Sequence, residues 1–260
     1  MWADSRAALA DLSLSDRDRV LDVGCGTGEL TAVLVEETDA TVVGVDADTG
    51  LLTAARDRLD RDERQGSTPT HPDLAAGDAT RLPFPTDSFD LVVCQALLVN
   101  LPEPAVALRE FTRISRELVA AVEPDNADVA VSSTVDNETQ LEREARGAFI
   151  DGVTTDVTTR ALAETFTDAG LSRVQTRRYH HEKRVEPPYS EADLKGATRK
   201  ATGAALASHE TELRRALSED SYDDLRQRWR AMGRAVVDQM RAETYERVEV
   251  VPFDVAVGRV

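Results

Sequence analysis

Cysteine is nearly absent from this 260-residue chain, with Cys25 and Cys94 as the whole complement. Two thiols are far too few for a disulfide framework or a cysteine-rich metal site. Aromatic residues make up 5%, and lysine is reduced to Lys183, Lys195 and Lys200. No apolar run approaches the length that a membrane span needs, and mean hydropathy is -0.36. The opening residues Met1-Trp2-Ala3-Asp4 have neither the basic nor the apolar region of a secretory signal. These absences predict a soluble, cytoplasmic protein. At this length, 41% hydrophobic residues suffice for a full core without staples.

What is abundant is negative charge. Asp and Glu number 48 against 31 basic residues, for a net charge of -17. Such a surface repels nucleic acid and anionic membranes. Acid-rich, lysine-poor composition also resembles the proteins of salt-loving organisms such as halophilic archaea, where dense salt screens the repulsion. On that reading the charge reports habitat rather than substrate. The distribution is uneven: residues 186–247 carry 12 acids and 11 bases. There an anionic partner meets little repulsion, or the two signs simply pair along helices at i,i+4.

The first half alternates short apolar runs with amphipathic stretches, the pattern of a parallel α/β sheet. Strands are expected at 20–23, 41–46, 74–76, 89–94 and 118–122. Helices are expected at 29–37, from 54 to 59 before a polar loop over 61–72, and at 105–114. Further on, helices are expected around 138–149 and 158–169, the second closed by Gly170. Long strands follow at 173–185 and 248–257, with residues 191–245 helical between them. In that stretch Tyr222, Leu225, Trp229, Met232, Val236 and Met240 recur at steps of three and four, one apolar stripe for core packing.

Chemistry concentrates in Asp22-Val23-Gly24-Cys25-Gly26-Thr27-Gly28, a glycine-rich turn between an apolar strand and a helix. Glycines permit a tight turn and close approach of backbone to a ligand, and the helix N-terminus adds partial positive charge. Asp46 ends the second strand, where a carboxylate would face the ribose hydroxyls of a nucleoside. Gly77-Asp78-Ala79 follows the third strand, where Asp78 can accept from an adenine amino group. All three segments lie at the carboxyl edge of one sheet, where such folds bind ligands.

Together these residues resemble the signature of class I S-adenosylmethionine-dependent methyltransferases. Val20 to Gly28 looks like their glycine-rich motif, and Val43-Gly44-Val45-Asp46 like their ribose-binding strand. Gly77-Asp78-Ala79, Leu82-Pro83-Phe84 and Asp87-Ser88-Phe89-Asp90 are similar to motifs of the small-molecule branch that includes quinone methyltransferases. The resemblance is strong over residues 15–125 and loose over 126–185. It implies a Rossmann-like, seven-stranded, mostly parallel sheet with helices on both faces.

It also implies residue roles. Gly24, Gly26 and Gly28, with Cys25 and Thr27 between them, would bring backbone to the methionine part of the cofactor, and Asp22 would orient its amino group. Asp46 would bind both ribose hydroxyls, with Ala47 beside the adenine. Asp78 would accept from the adenine amine with Ala79 as backbone partner, and Gln95 would sit near the sulfonium. Cys25 is read as packing, not as a nucleophile. The histidines that often follow the fourth strand in this family are replaced by Leu98-Val99-Asn100-Leu101. The implied organisation is a cofactor-binding core of residues 1–185 and 246–260, and a helical insertion of residues 186–245 where the family usually has a hairpin. The insertion reads as a substrate lid or as an arm for a homodimer. Acceptors would then be roofed by residues 126–155 and 191–245.

Rival readings are weaker. A nicotinamide-binding turn expects its third glycine where Glu29 stands. Glu186-Pro187-Pro188-Tyr189 is similar to the Asp/Asn-Pro-Pro-Tyr motif of adenine amino-methyltransferases, but that motif ends the fourth strand, which here ends in Cys94-Gln95-Ala96. Tyr189, His180 and His181 are the candidate catalytic residues, the histidines as general bases. His71 and His209 have no partner that the sequence reveals, and no metal site is spelled. Two further alternatives stay open: an RNA-modifying enzyme using Arg214, Arg215, Arg226, Arg228, Arg230, Arg234 and Arg241, and a catalytically silent cofactor-binding subunit.

Overall fold

The computed structural model describes residues 2, 6–64, 72–156 and 158–260. His71, and most of the polar loop expected around it, lie outside the described residues. In chain order the elements are β1 Arg19–Val23, α1 Glu29–Glu37, β2 Thr41–Asp46, α2 Thr49–Arg64, β3 Asp73–Ala76, β4 Phe89–Gln95, α3 Pro104–Ile114 and β5 Ser115–Pro124. Then come β6 Ala130–Ser133, α4 Glu138–Gly152, α5 Leu162–Asp168, β7 Ser172–Val185, α6 Glu191–Thr202, α7 Ala204–Ala207, α8 Glu210–Ala216, α9 Glu219–Arg241 and β8 Arg247–Arg259.

Two compact units share these elements. The first comprises Met1–Pro124, Thr158–Tyr179 and Phe253–Val260, and the second Asp125–Val157 and His180–Pro252. In the first unit β3, β2, β1, β4 and β5 run parallel in that order. The C-terminal half of β8 closes on β5 antiparallel, from Pro124 opposite Phe253 to Leu118 opposite Arg259, and β7 pairs with β8.

Residues of each strand alternate between two apolar layers because successive side chains point to opposite faces. Leu21, Val23, Val43, Val45, Val92 and Cys94 join Leu108 and Phe111 of α3 and Phe166 of α5. Val20, Val42, Leu91 and Val93 join Leu30, Val33 and Leu34 of α1 and a 3-10 turn carrying Leu9 and Leu12. Helices therefore cover both faces, as strands that are buried on two sides require.

In the second unit β6 pairs antiparallel with the first half of β8, from Ala130 opposite Val250 to Ser133 opposite Arg247. This short strand makes eight among the described residues, where seven were expected. The stripe on α9 is fully engaged: Tyr222, Leu225, Trp229, Met232, Val236 and Met240 are all buried, with Leu206, Leu213 and Tyr245 in the same core. Helix α6 begins with a capping box between Ser190 and Asp193. The helices α6 and α9 touch backbone to backbone at Gly233, where an added Cβ would lie 2.3 Å from the Ala201 nitrogen. The segment 186–245, expected as an insertion, lies in this unit together with 125–157.

Candidate functional site

The glycine-rich turn is held to β2 first by backbone. The N–H groups of Gly24 and Cys25 both donate to the carbonyl of Val45, at 2.7 and 3.0 Å. Gly24, Gly26 and Gly28 have φ of +71°, +53° and +78°, which a side chain would strain. A Cβ at Gly26 would meet nothing within 4 Å, so the turn has open space there, whereas at Gly24 it would strike Leu97 at 2.9 Å.

Asp22 sits two residues before this turn, only 1% exposed. Its Oδ2 accepts from the Thr31 hydroxyl at 2.6 Å, while Oδ1 is buried and has no hydrogen-bond partner among the described residues. Burial pushes its carboxyl up to about 7, with Asp46 adding repulsion and Thr31 acting the other way. Asp46 is half-buried at the end of β2. Its Oδ2 accepts from Gly26 N–H and its Oδ1 from Asp48 N–H, both at 2.8 Å. The turn, Asp22 and Asp46 are thus brought together at one end of the sheet.

The other expected positions are more loosely held. Asp78 is exposed after β3, and its Oδ1 accepts from Thr80 N–H at 2.8 Å and Thr80 hydroxyl at 2.7 Å. Those two bonds keep its carboxyl below the ordinary range. Ala79 is half-buried beside it, and Ala47 and Thr27 are exposed. Cys25 is buried with its thiol pushed up to about 12 by burial and then by Asp22 and Asp46, which leaves no thiolate for nucleophilic work at neutral pH.

Two partners in this unit were not read from the sequence. Glu123, at the end of β5, is 0% exposed and accepts from the backbone N–H groups of Leu97, Leu98 and Val99 at 3.1, 3.0 and 3.3 Å. It fixes the loop after β4, whose Leu97 packs over Gly24. Burial raises its carboxyl, and those three bonds oppose the rise. Its signal was available: an acid ending an otherwise apolar strand, as Asp46 does. Trp2 is the other, buried, with its indole N–H donating to Gln95 Oε1 at 2.7 Å.

The candidate catalytic residues lie in the second unit. His180 is exposed and His181 half-buried. The Tyr189 hydroxyl donates to the Tyr245 carbonyl and accepts from the Tyr245 N–H, each at 3.0 Å, which ties the chain before α6 to the start of β8. Arginines weighed for RNA are engaged locally. Arg228 bridges Glu144 and Asp224, Arg214 pairs with Glu210, and Arg241 with Asp238. Arg215 and Arg230 donate to the carbonyls of Gly152 and Thr202. Within this stretch Arg214, Arg228 and Arg241 find acids three or four positions away along their helices.

No group of three or more potential metal ligands occurs among the described residues, and none of their helices is long and apolar enough to cross a membrane. The residues present do fit an adenosyl cofactor bearing an ammonium. Asp22 offers an orphaned buried oxygen, and Gly26 leaves open space beside the Asp46 carboxylate.

Residues 21–118 match the family model described as "Methyltransferase domain". The chain is 32% identical over 155 residues to the methyltransferase GfsG of Streptomyces halstedii, covering 58% of this chain and 49% of that protein. It is 38% identical over 99 residues to 2-phytyl-1,4-naphtoquinone methyltransferase of Synechococcus elongatus, covering 37% and 41%. These matches span about half or less of the relatives' own length. Among solved structures, the YcgJ protein of Bacillus subtilis superposes with a TM-score of 0.57 at 16% identity, covering 98% of both chains. That likeness bears on the fold alone. The matched segment carries β1, β2 and β4 and the turns that follow them, so residues 21–118 are similar to a methyltransferase domain.

Proposed function

We propose that the chain holds S-adenosylmethionine at the ends of β1, β2 and β3 and passes its methyl group to a small-molecule acceptor. Asp22 carries the reading. A buried carboxylate with one oxygen unpartnered is costly unless a cation or donor meets it, and the amino group of the cofactor supplies both. Gly24, Gly26 and Gly28, with Cys25 and Thr27, shape the turn around the methionine part. Asp46 takes the ribose hydroxyls on its remaining lone pairs, with Ala47 beside the adenine. Asp78 accepts from the adenine amine, with Ala79 as backbone partner, and Gln95 stands near the sulfur.

When bound, the cofactor supplies a methyl group already activated by positive sulfur. The chain adds orientation of the acceptor and exclusion of water, which account for most of the acceleration such a displacement needs. The names of the quinone methyltransferases among the relatives support a small-molecule acceptor. A base is required only for an acceptor that arrives protonated, and His180 and His181 are the candidates. Selection of the acceptor is assigned to the second unit.

Calorimetry with S-adenosylhomocysteine tests the reading. The parent protein should bind it, and Asp46→Ala should weaken binding by roughly 1–3 kcal/mol through lost charge-assisted hydrogen bonds. No heat with the parent protein would sink the cofactor assignment; unchanged affinity in the variant would sink the ribose role alone.

A further inference from the structure

The second unit carries an open cavity of about 350 Å³ that none of the cofactor residues line. Its apolar wall comes from α4, α7, α8 and α9, with Phe149, Leu206, Leu213 and Trp229 as the large side chains. His209 joins them edge-on to Phe149, with ring centroids 4.9 Å apart. The size falls within the range of small-molecule sites, and the mix of apolar wall and few polar groups is their usual composition.

Charge decides what such a molecule must carry. Four charged side chains line the cavity: Arg146, Arg247, Glu142 and Glu249. Arg247 pairs through Nη2 with Glu142 at 2.6 Å and Glu249 at 3.1 Å, while its buried Nε has no hydrogen-bond partner among the described residues. Glu142 is shared further with Lys200 at 2.6 Å. Arg146 is left with Glu249 at 3.8 Å, a carboxylate already engaged by Arg247. Its Nη1 is buried with no hydrogen-bond partner among the described residues. Burial pulls the Arg146 pKa down more than these carboxylates restore it. Both acids are thus engaged more closely by Arg247, and of the two lining arginines Arg146 is the less compensated charge. A cationic ligand would meet no free carboxylate there, whereas an anionic group would complete Arg146.

We propose that this cavity binds a small amphipathic molecule whose aromatic or aliphatic body packs against Phe149, Leu206, Leu213 and Trp229 and whose carboxylate or similar anionic group pairs with Arg146. That the bound molecule is the methyl acceptor rests on the proposed function above; the cavity as a ligand site does not.

Trp229 reports on its own cavity once the other tryptophan is removed, since Trp2 and Trp229 are the two in the chain. The Trp2→Phe full-length protein is titrated with 4-phenylbutyrate and with the neutral 4-phenylbutan-1-ol, following Trp229 emission. The acid should give a saturable change and bind more tightly than the alcohol. Arg146→Gln should weaken the acid about tenfold or more and leave the alcohol within a few fold, and Arg146→Lys should recover part of the loss. Ala205→Phe, which fills the cavity wall, should abolish both. Saturating S-adenosylhomocysteine should leave probe binding in place. No saturable change with either probe overturns the proposal, as does acid binding that is indifferent to both Arg146→Gln and Ala205→Phe. Binding of S-adenosylhomocysteine without probe binding would refute this inference and spare the cofactor assignment. The reverse result would do the opposite.

Discussion

Both units bury acids, and in the first Asp90 meets Arg116 and Asp254 meets Arg178, but two other acids there differ from those of the second unit. In the first, Asp22 and Glu123 lie inside with hydroxyl or backbone N–H partners and no cation, and both carboxyls are raised by burial. In the second, Glu138 and Glu142 are equally buried but meet Lys200, Arg247 and the Tyr245 hydroxyl. Burial alone would raise Glu142, yet Lys200 and Arg247 hold it below the ordinary range. A compensated network fixes a fold, and Glu123 is satisfied by backbone donors, whereas Asp22 keeps one buried oxygen unpartnered among the described residues.

The largest test of that contrast is Lys200→Met. It leaves Glu138 and Glu142 facing each other with Arg247 alone, and should cost about 3–5 kcal/mol in denaturant unfolding. A loss under about 1 kcal/mol would mean that the network is not structural. Next comes Glu123→Ala, which orphans three backbone N–H groups and should destabilise by roughly 2–3 kcal/mol. If Glu123 positions the loop over the turn, Glu123→Gln should recover most of the cofactor affinity that the alanine variant loses; equal loss in both would reject the positioning role.

A further test is the pH dependence of Asp22. Its folded carboxyl titrates at about 7 against an ordinary 3.8, so the unliganded protein binds an extra proton in between. Stability should therefore fall as pH rises from about 4 to about 7, and Asp22→Asn should flatten that slope. Cofactor affinity should move the other way, rising up to about tenfold per pH unit below 7 as the ionised form is selected. A flat affinity between pH 5.5 and 7.5 would remove Asp22 from the amino-group site.

Much of this contrast was legible in the sequence for the first unit and little of it for the second. Strands buried on two faces read as unbroken runs such as Leu91-Val92-Val93-Cys94, and acids at their ends stand out against that background. The α9 stripe was equally plain, since large apolar residues recur at helical spacing. β6 was missed because Ala130-Val131-Ser132-Ser133 is short, polar and half-exposed, with its pairing supplied by residues over a hundred positions later. α2 runs to Arg64 rather than stopping near Leu59, carried by charged residues of good helix propensity that bear no apolar signal. Tyr189 was singled out as the end of the Glu-Pro-Pro-Tyr run, but no local pattern could show that Tyr245 takes both its hydrogen bonds. The Glu138–Lys200–Glu142–Arg247 network joins α4, α6 and β8, and sequence spacing carries no record of such meetings.

The strand β8 serves both units, its first four residues pairing with β6 and its last seven with β5. During synthesis the ribosome must therefore release this stretch before β5 or β6 can gain its final partner. Until then β5 and β6 each offer an unsatisfied edge to any passing extended peptide, so a chaperone that shields such edges would matter most in the seconds before β8 emerges.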